Sequence, residues 1–305
     1  MPRSISVKEK VLITGANGLI AKKLGLLLEK NNYQVCYLST KKSNKKNIFY
    51  WNLSNDVIEM EALSKTDHII HLAGYSISNI WTKKNKQKMF DSRIKSSQLI
   101  FEKCKEIKHT PKTYISASAM GYYGLETDGL KKENDIPQQE NWMSLLCEEW
   151  EKKADQFKEL GSRILKLRLS LILDKNGGIL EKILLGFYFR IGLVFGKGTQ
   201  PFPWIHSSDV AKFILHCIQN KEMNGPINLS TQKQITLNEF MLSMQRNIQK
   251  KTILIYIPKW IIQIFIGEQA SMLFSNVKLS VSKMKEYGFT WDYENIDQAI
   301  QKEIL

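Results

Sequence analysis

Two glycines three residues apart stand in the run Val11-Leu12-Ile13-Thr14-Gly15-Ala16-Asn17-Gly18-Leu19-Ile20-Ala21, and that spacing suits the binding of an anion. Gly15 permits a tight turn away from the apolar stretch. Gly18 carries no side chain, so a phosphate group can approach the backbone closely. A helix beginning near Leu19 would direct its unpaired N–H groups and the positive end of its dipole at the same anion. Ala21 stands where a third glycine usually lets helix and strand pack closely, and alanine is small enough for that purpose. Gly15, Asn17, Gly18, Leu19 and Ile20 are therefore the expected pyrophosphate contacts.

The surrounding elements have the order such a loop requires. Lys10 to Thr14 reads as a buried parallel strand, and Leu19 to Glu29 has apolar residues at helical spacing. Asn31-Asn32 stops the helix, and Tyr33 to Leu38 reads as a second strand. This βαβ opening is the context in which the glycine pattern denotes a dinucleotide fold. The end of the second strand then distinguishes cofactors. An NAD site places Asp or Glu there, on the ribose 2′-hydroxyl. Here Ser39, Thr40 and Lys41 follow Leu38 with no carboxylate, which suits a 2′-phosphate and hence NADP(H).

Strand and helix alternate further along. Strands are expected at His68–Leu72, Lys112–Ser116 and Ser162–Leu173, and helices at Ile94–Cys104 and Ser144–Leu160, the last ended by Gly161. The pattern predicts an α/β protein, a Rossmann-type doubly wound parallel sheet, with a smaller mixed C-terminal substrate region. Residues 1–175 form the dinucleotide-binding domain, with 203–222 returning to it as the helix Ser207–Gln219. Residues 176–202 and 223–305 form the smaller region, including a helix at Ile179–Phe189 and a strand at Gly225–Ser230.

The 305 residues carry a net charge of +14, with 43 % apolar and 24 % charged residues, as in an ordinary soluble globular protein. Much of the lysine lies in Lys/Asn runs such as Lys41–Asn47 and reads as solvated surface. No zinc-finger spacing, RNP-like strand or basic heptad region accompanies it, so no nucleic-acid partner is expected. Cys36, Cys104, Cys147 and Cys217 are widely spaced, which fits reduced thiols and neither a disulfide frame nor a metal site. His68 and His71 are three apart in a strand and make no metal pair. Met1–Lys10 has no apolar core of a signal peptide, and Ile253–Ile266 is too short and interrupted to span a bilayer. These features lead to the expectation of a cytoplasmic protein with no membrane partner and an unidentified small-molecule substrate, with a homodimer as one expectation for its assembly.

Further strings carry a family resemblance. They are His71-Leu72-Ala73-Gly74, Trp81-Thr82 with Ser92-Arg93, and Ser116-Ala117-Ser118-Ala119-Met120-Gly121-Tyr122-Tyr123-Gly124. Trp150-Glu151, Gly177-Gly178 and Phe202-Pro203-Trp204-Ile205-His206-Ser207-Ser208-Asp209 continue them. With these the chain resembles the atypical extended short-chain dehydrogenase/reductases of the epimerase family. The resemblance implies NADP(H) binding in a two-part fold with an unassigned substrate. It adds Leu72, Ala73, Gly74 and Arg93 to the cofactor contacts. One position departs: Tyr75 stands where an acidic residue is usual.

Dehydrogenases of this class use a serine, a tyrosine and a lysine, the last two spaced Tyr-x-x-x-Lys on one helix face. The only such spacing here is Tyr37 to Lys41, at the end of the second strand. On the expected helix, alignment through Glu151 places Met143 and Cys147 at the two positions. A thioether does not titrate and a thiol supplies no fixed positive charge. Ser118 fits the serine position, and Tyr122 is the candidate proton donor, with Tyr123, Cys147 and Glu148 as further polar groups nearby. Two functions remain in view: an NADP(H)-dependent oxidoreductase or epimerase on a small polar or sugar-like substrate, and a protein that binds NADPH without turnover as a sensor or scaffold.

Overall fold

The computed structural model describes residues 8–138, 141–248 and 251–304. Strand β1 (Lys10–Thr14) is buried beyond its first residue. Helix α1 (Leu19–Lys30) buries Ala21, Leu24, Gly25 and Leu28, a stripe at three- and four-residue spacing, and Asn32 closes it in the left-handed region at φ 65°. After β2 (Gln34–Ser39) come β3 (Ile48–Asn52) and the two-residue β4 (Val57–Ile58). The sequence pattern contained no expectation of either. Phe49, Tyr50 and Trp51 favour a strand, but the flanking Lys/Asn run masks them.

Strand β5 (His68–His71) leads to α2 (Lys83–Glu106), which starts eleven residues before its expected first residue. Its first turns are polar and show no apolar periodicity, but Thr82 caps them by accepting the Asn85 N–H. Strand β6 (Thr113–Ala119) and the short β7 (Leu130–Lys131) precede α3 (Trp142–Asp155), which opens with a reciprocal Asn141–Ser144 capping box. A 3₁₀ turn extends α3 to Leu160, and Gly161 ends it at φ 86°.

The single strand expected at Ser162–Leu173 is two: β8 (Arg163–Leu169) and β9 (Leu171–Asp174). Helix α4 (Gly178–Tyr188), β10 (Ile191–Phe195), β11 (Trp204–His206), α5 (Ser207–Gln219) and β12 (Gly225–Leu229) follow. The chain ends through α6 (Leu237–Asn247), β13 (Ile253–Ile257), α7 (Lys259–Ile266), α8 (Ala270–Leu273), β14 (Lys278–Leu279), α9 (Ser282–Glu286) and α10 (Ile296–Ile304).

The main sheet has the order β12-β8-β6-β5-β1-β2-β3-β4, parallel throughout except for β4 at the edge. Its direction of progression reverses between β1 and β5, which creates a crevice above their carboxyl ends. Helices α1 and α5 cover one face and α2 and α3 the other. Within 203–222, α5 packs on α1. The expected boundary at 222 needs correction. Strand β12 pairs with β8 in the main sheet, and Val281, Met284 and Phe289 join the α1/α5 core. The smaller region is built on pairs β9–β11, β10–β13 and β7–β14, with α4, α6 and α10 enclosing a second core around Trp204 and Phe240. Among the described residues no helix is long and apolar enough to cross a membrane.

Candidate active site

The glycine loop lies at the reversal point of the sheet. Gly15 has φ +79°, and a Cβ there would stand 3.3 Å from Ala73 Cα. Thr14 fastens the two strand ends, its hydroxyl accepting from the N–H groups of Leu72 (3.0 Å) and Ala73 (2.9 Å). The N–H of Gly18 donates to the Gly15 carbonyl at 2.8 Å, closing the turn. Gly18 is the N-cap of α1 and supplies no side-chain cap, so the first N–H groups of the helix open onto the crevice. Gly177 closes over the same turn: a Cβ there would stand 2.7 Å from Leu19 Cδ1. At the end of β2, Ser39 is buried and accepts the Lys41 N–H at 3.0 Å, while Thr40, Lys41 and Lys42 are exposed. Gly15 thus meets Leu72 and Ala73 at the ends of β1 and β5, with Gly18 closing the same turn and Leu19 beside Gly177.

Arg93 is buried beside them. Its Nη1 donates to the carbonyls of Tyr75 and Met89, both at 3.0 Å. Its guanidinium lies 4.8 Å from the Trp150 ring centre. Nε has no partner. Burial lowers its pKa to about 10, and no carboxylate opposes that shift. A buried cation with a free N–H next to Gly74 suits an anion supplied from outside the chain.

Ser118 occupies a different setting from the one a substrate-orienting hydroxyl needs. It is 1 % exposed and donates to Glu151 Oε1 at 2.8 Å. Glu151 is gripped by Arg168, Nε to Oε1 at 2.8 Å and Nη2 to Oε2 at 2.9 Å. Arg168 Nη1 also reaches the Tyr123 hydroxyl at 2.8 Å, and that hydroxyl donates to Asn228 Oδ1 at 2.8 Å. The Arg168 guanidinium lies 3.4 Å from the Tyr122 ring centre. Tyr122 is half-buried, and burial raises its pKa despite the nearby Arg168. This network was not foreseen. The sequence signal for it was a glutamate, an arginine and a tyrosine in otherwise apolar stretches.

Met143 and Cys147, one turn apart on α3, join Met89 and Leu146 in an apolar cluster. Met143 presses on Gly121, where a Cβ would stand 2.4 Å from its Cγ. Burial pushes the Cys147 thiol up to about 12. A cleft of about 220 Å³ opens beside Met143, lined by Trp81, Asn141, Trp142, Lys259 and Glu268 among others. Lys86 pairs with Glu268 across its rim and lies over the Trp81 and Trp142 rings. Asn141 Nδ2 is buried without a partner. A larger hollow of about 510 Å³, between Ser64 and Lys108, lies among the loops at the opposite end of the strands and shares no residue with the glycine loop.

His71 is fully buried and stays neutral, its pKa lowered to about 3 by burial, with Nε2 2.8 Å from the Ser96 hydroxyl. His206 caps α5 and lies 2.8 Å from Glu303, while Asp209 accepts the N–H groups of Asp292 and Tyr293. Both therefore fasten the C-terminal segment beside α5. Among the described residues no group of three potential metal ligands occurs, and all four cysteines are free.

Residues 11–144 match the model of the NAD dependent epimerase/dehydratase family, and residues 257–303 match a domain of unknown function, DUF1731. An epimerase family protein of Staphylococcus epidermidis is 30 % identical over 96 % of this chain and 98 % of its own. The chain belongs to the epimerase family. An epimerase family protein of Staphylococcus aureus is 29 % identical over the same shares. The human epimerase family protein SDR39U1, solved with NADPH, superposes with a TM-score of 0.85 at 23 % identity, covering 96 % of this chain and 98 % of that one. MoeE5, solved with UDP-glucuronic acid and NAD, gives 0.80 at 18 % identity, with 97 % of each chain covered. In this epimerase family member the crevice at the β1/β5 reversal is lined by bare backbone at Gly15 and Ala73. The face of α3 beside it is apolar.

Proposed function

We propose that this epimerase family protein binds NADP(H) across the β1/β5 crevice and carries out hydride chemistry on a small polar or sugar-like substrate held in the cleft beside Met143. The observation that carries the reading is the approach of Gly15 to Ala73, a cradle of bare backbone that any side chain at residue 15 would fill. The amino end of α1 would take the pyrophosphate. Ser39, Thr40 and Lys41, with no carboxylate among them, favour a 2′-phosphate over a free ribose hydroxyl. The NADPH found with the human relative agrees with this, although NAD accompanies MoeE5. A bound nicotinamide supplies the hydride donor or acceptor.

The protein's own contribution is binding, orientation and one proton donor. Tyr122, held under Arg168 with its pKa raised by burial, is assigned as the group that gives the proton when the substrate is reduced and takes it back in the reverse direction. Ser118 acts as a positioning residue through Glu151 and Arg168. Titration followed by tryptophan quenching tests the cofactor assignment. NADPH should bind about 10–100 times more tightly than NADH, the worth of one charge-assisted hydrogen bond to the 2′-phosphate. The reverse preference would overturn it.

A second reading, NADPH binding without turnover, is favoured by the apolar Met143–Cys147 face, which holds no fixed charge. A panel of carbonyl compounds and nucleotide sugars decides between them. Turnover abolished by Tyr122→Phe supports the enzyme. A saturated protein that turns over nothing on the panel supports the sensor or scaffold.

A further inference from the structure

Eleven of the twenty large apolar side chains left exposed among the described residues fall in just two segments, 185–193 and 253–265. The two segments meet. Strands β10 and β13 pair in parallel with Ile191 opposite Ile253 and Leu193 opposite Ile255. In register, these four side chains share one face, and all four are exposed, Ile253 by 70 %. The other face is largely covered, with Val194 buried and Leu254 and Phe187 against Gly192, while Tyr256 on it is half exposed and donates its hydroxyl to Asn238. Tyr188 and Phe189 lie at the β10 end, and α7, which follows β13 directly, exposes Trp260, Ile264 and Phe265, the last by 77 %. Side chains of this size leave on the order of 1,000 Å² of apolar surface in water. A monomer usually leaves only a few hundred in one patch.

The charge around this face selects its occupant. Residues 181–197 and 251–258 contain four cations, Lys182, Arg190, Lys197 and Lys251, against the single carboxylate of Glu181, while Lys259 lies over the Phe274 ring in the cleft. A second copy seated on the face by a twofold axis would set this cationic rim against itself. An anionic lipid surface would complement it and would take the aromatic rings at headgroup depth. We propose that this face seats the protein peripherally on an anionic membrane, with Trp260, Ile264, Phe265 and the β10–β13 face entering the interface. That no helix among the described residues is long and apolar enough to cross a membrane is compatible with this, because such a segment would lie on the surface and not cross it.

Co-sedimentation of the full chain with lipid vesicles tests the proposal. The protein should pellet with vesicles containing phosphatidylserine and remain in solution with phosphatidylcholine alone. Lys182→Gln with Lys251→Gln should weaken binding about 25-fold, since each cation near such a surface is worth roughly fivefold. Trp260→Ser with Phe265→Ser should abolish it while leaving NADPH binding and the far-ultraviolet spectrum unchanged. Failure to pellet with anionic vesicles overturns the proposal, as does pelleting that survives the Trp260/Phe265 substitutions. A concentration-dependent dimer that those substitutions dissolve, without vesicle binding, assigns the face to a second copy instead.

Discussion

Arg93 lies flat against the backbone of Gly74, so close that a Cβ at residue 74 would stand 2.9 Å from Cζ of the guanidinium. The contact holds a buried cation with a free Nε beside the crevice. Arg93→Met keeps the bulk against Trp150 and removes the charge. It should raise the Kd for NADPH about 10–100-fold, the worth of one charge-assisted hydrogen bond in a buried site, and leave thermal stability of the apo form unchanged or higher. Isothermal titration with paired melting curves reads both. Unchanged affinity would leave Arg93 a packing residue only.

The Glu151–Arg168 pair predicts a different asymmetry. Arg168→Met leaves Glu151 buried with only Ser118 and the more distant Lys166 (3.8 Å) for company, and should cost about 3–5 kcal/mol in urea unfolding. Ser118→Ala removes one hydrogen bond to a charged group and should cost about 1.5–3 kcal/mol. The double variant should cost less than the sum of the two, since both act on one carboxylate.

Asp174 yields a prediction in pH. Burial pulls its carboxyl up, but hydrogen bonds from Lys23, Ser207 and the Asn176 N–H outweigh burial and bring its pKa down to about 2, from an ordinary 3.8. A depressed folded-state pKa means that the unfolded chain binds the proton first. The stabilisation is therefore complete above about pH 5 and lost as pH falls from about 4 to about 2. It amounts to about 2 kcal/mol. Asp174→Asn should flatten the fall in urea midpoint between pH 5 and pH 2.5. A variant with the same acid slope as the parent would refute the assignment.

The thiols should be silent in the native protein. All four are buried, and burial pushes Cys36 to about 11, Cys104 and Cys147 to about 12, and Cys217 upward as well. A thiol-exchange reagent at pH 8 should find none within minutes and four after guanidinium is added. Rapid reaction of even one native thiol would refute its burial.

The sequence by itself determined the β1–α1–β2 opening of the molecule. A glycine turn, an amphipathic helix and two buried strands depend on contacts between neighbours in the chain, so Gly15, Gly18 and the end of β2 could be placed from local pattern alone. The same locality explains what it missed. Strand β3 and the first turns of α2 carry too little apolar periodicity to announce themselves, and β12 reveals its place only by pairing with β8. Tertiary structure alone decided that Ser118 faces Glu151, that Arg93 is buried with a free N–H, and that β10 and β13 leave an apolar face bare. Each of these depends on groups from elements far apart in the chain. Their meeting is set by how the sheet twists and the helices pack, which no local spacing encodes.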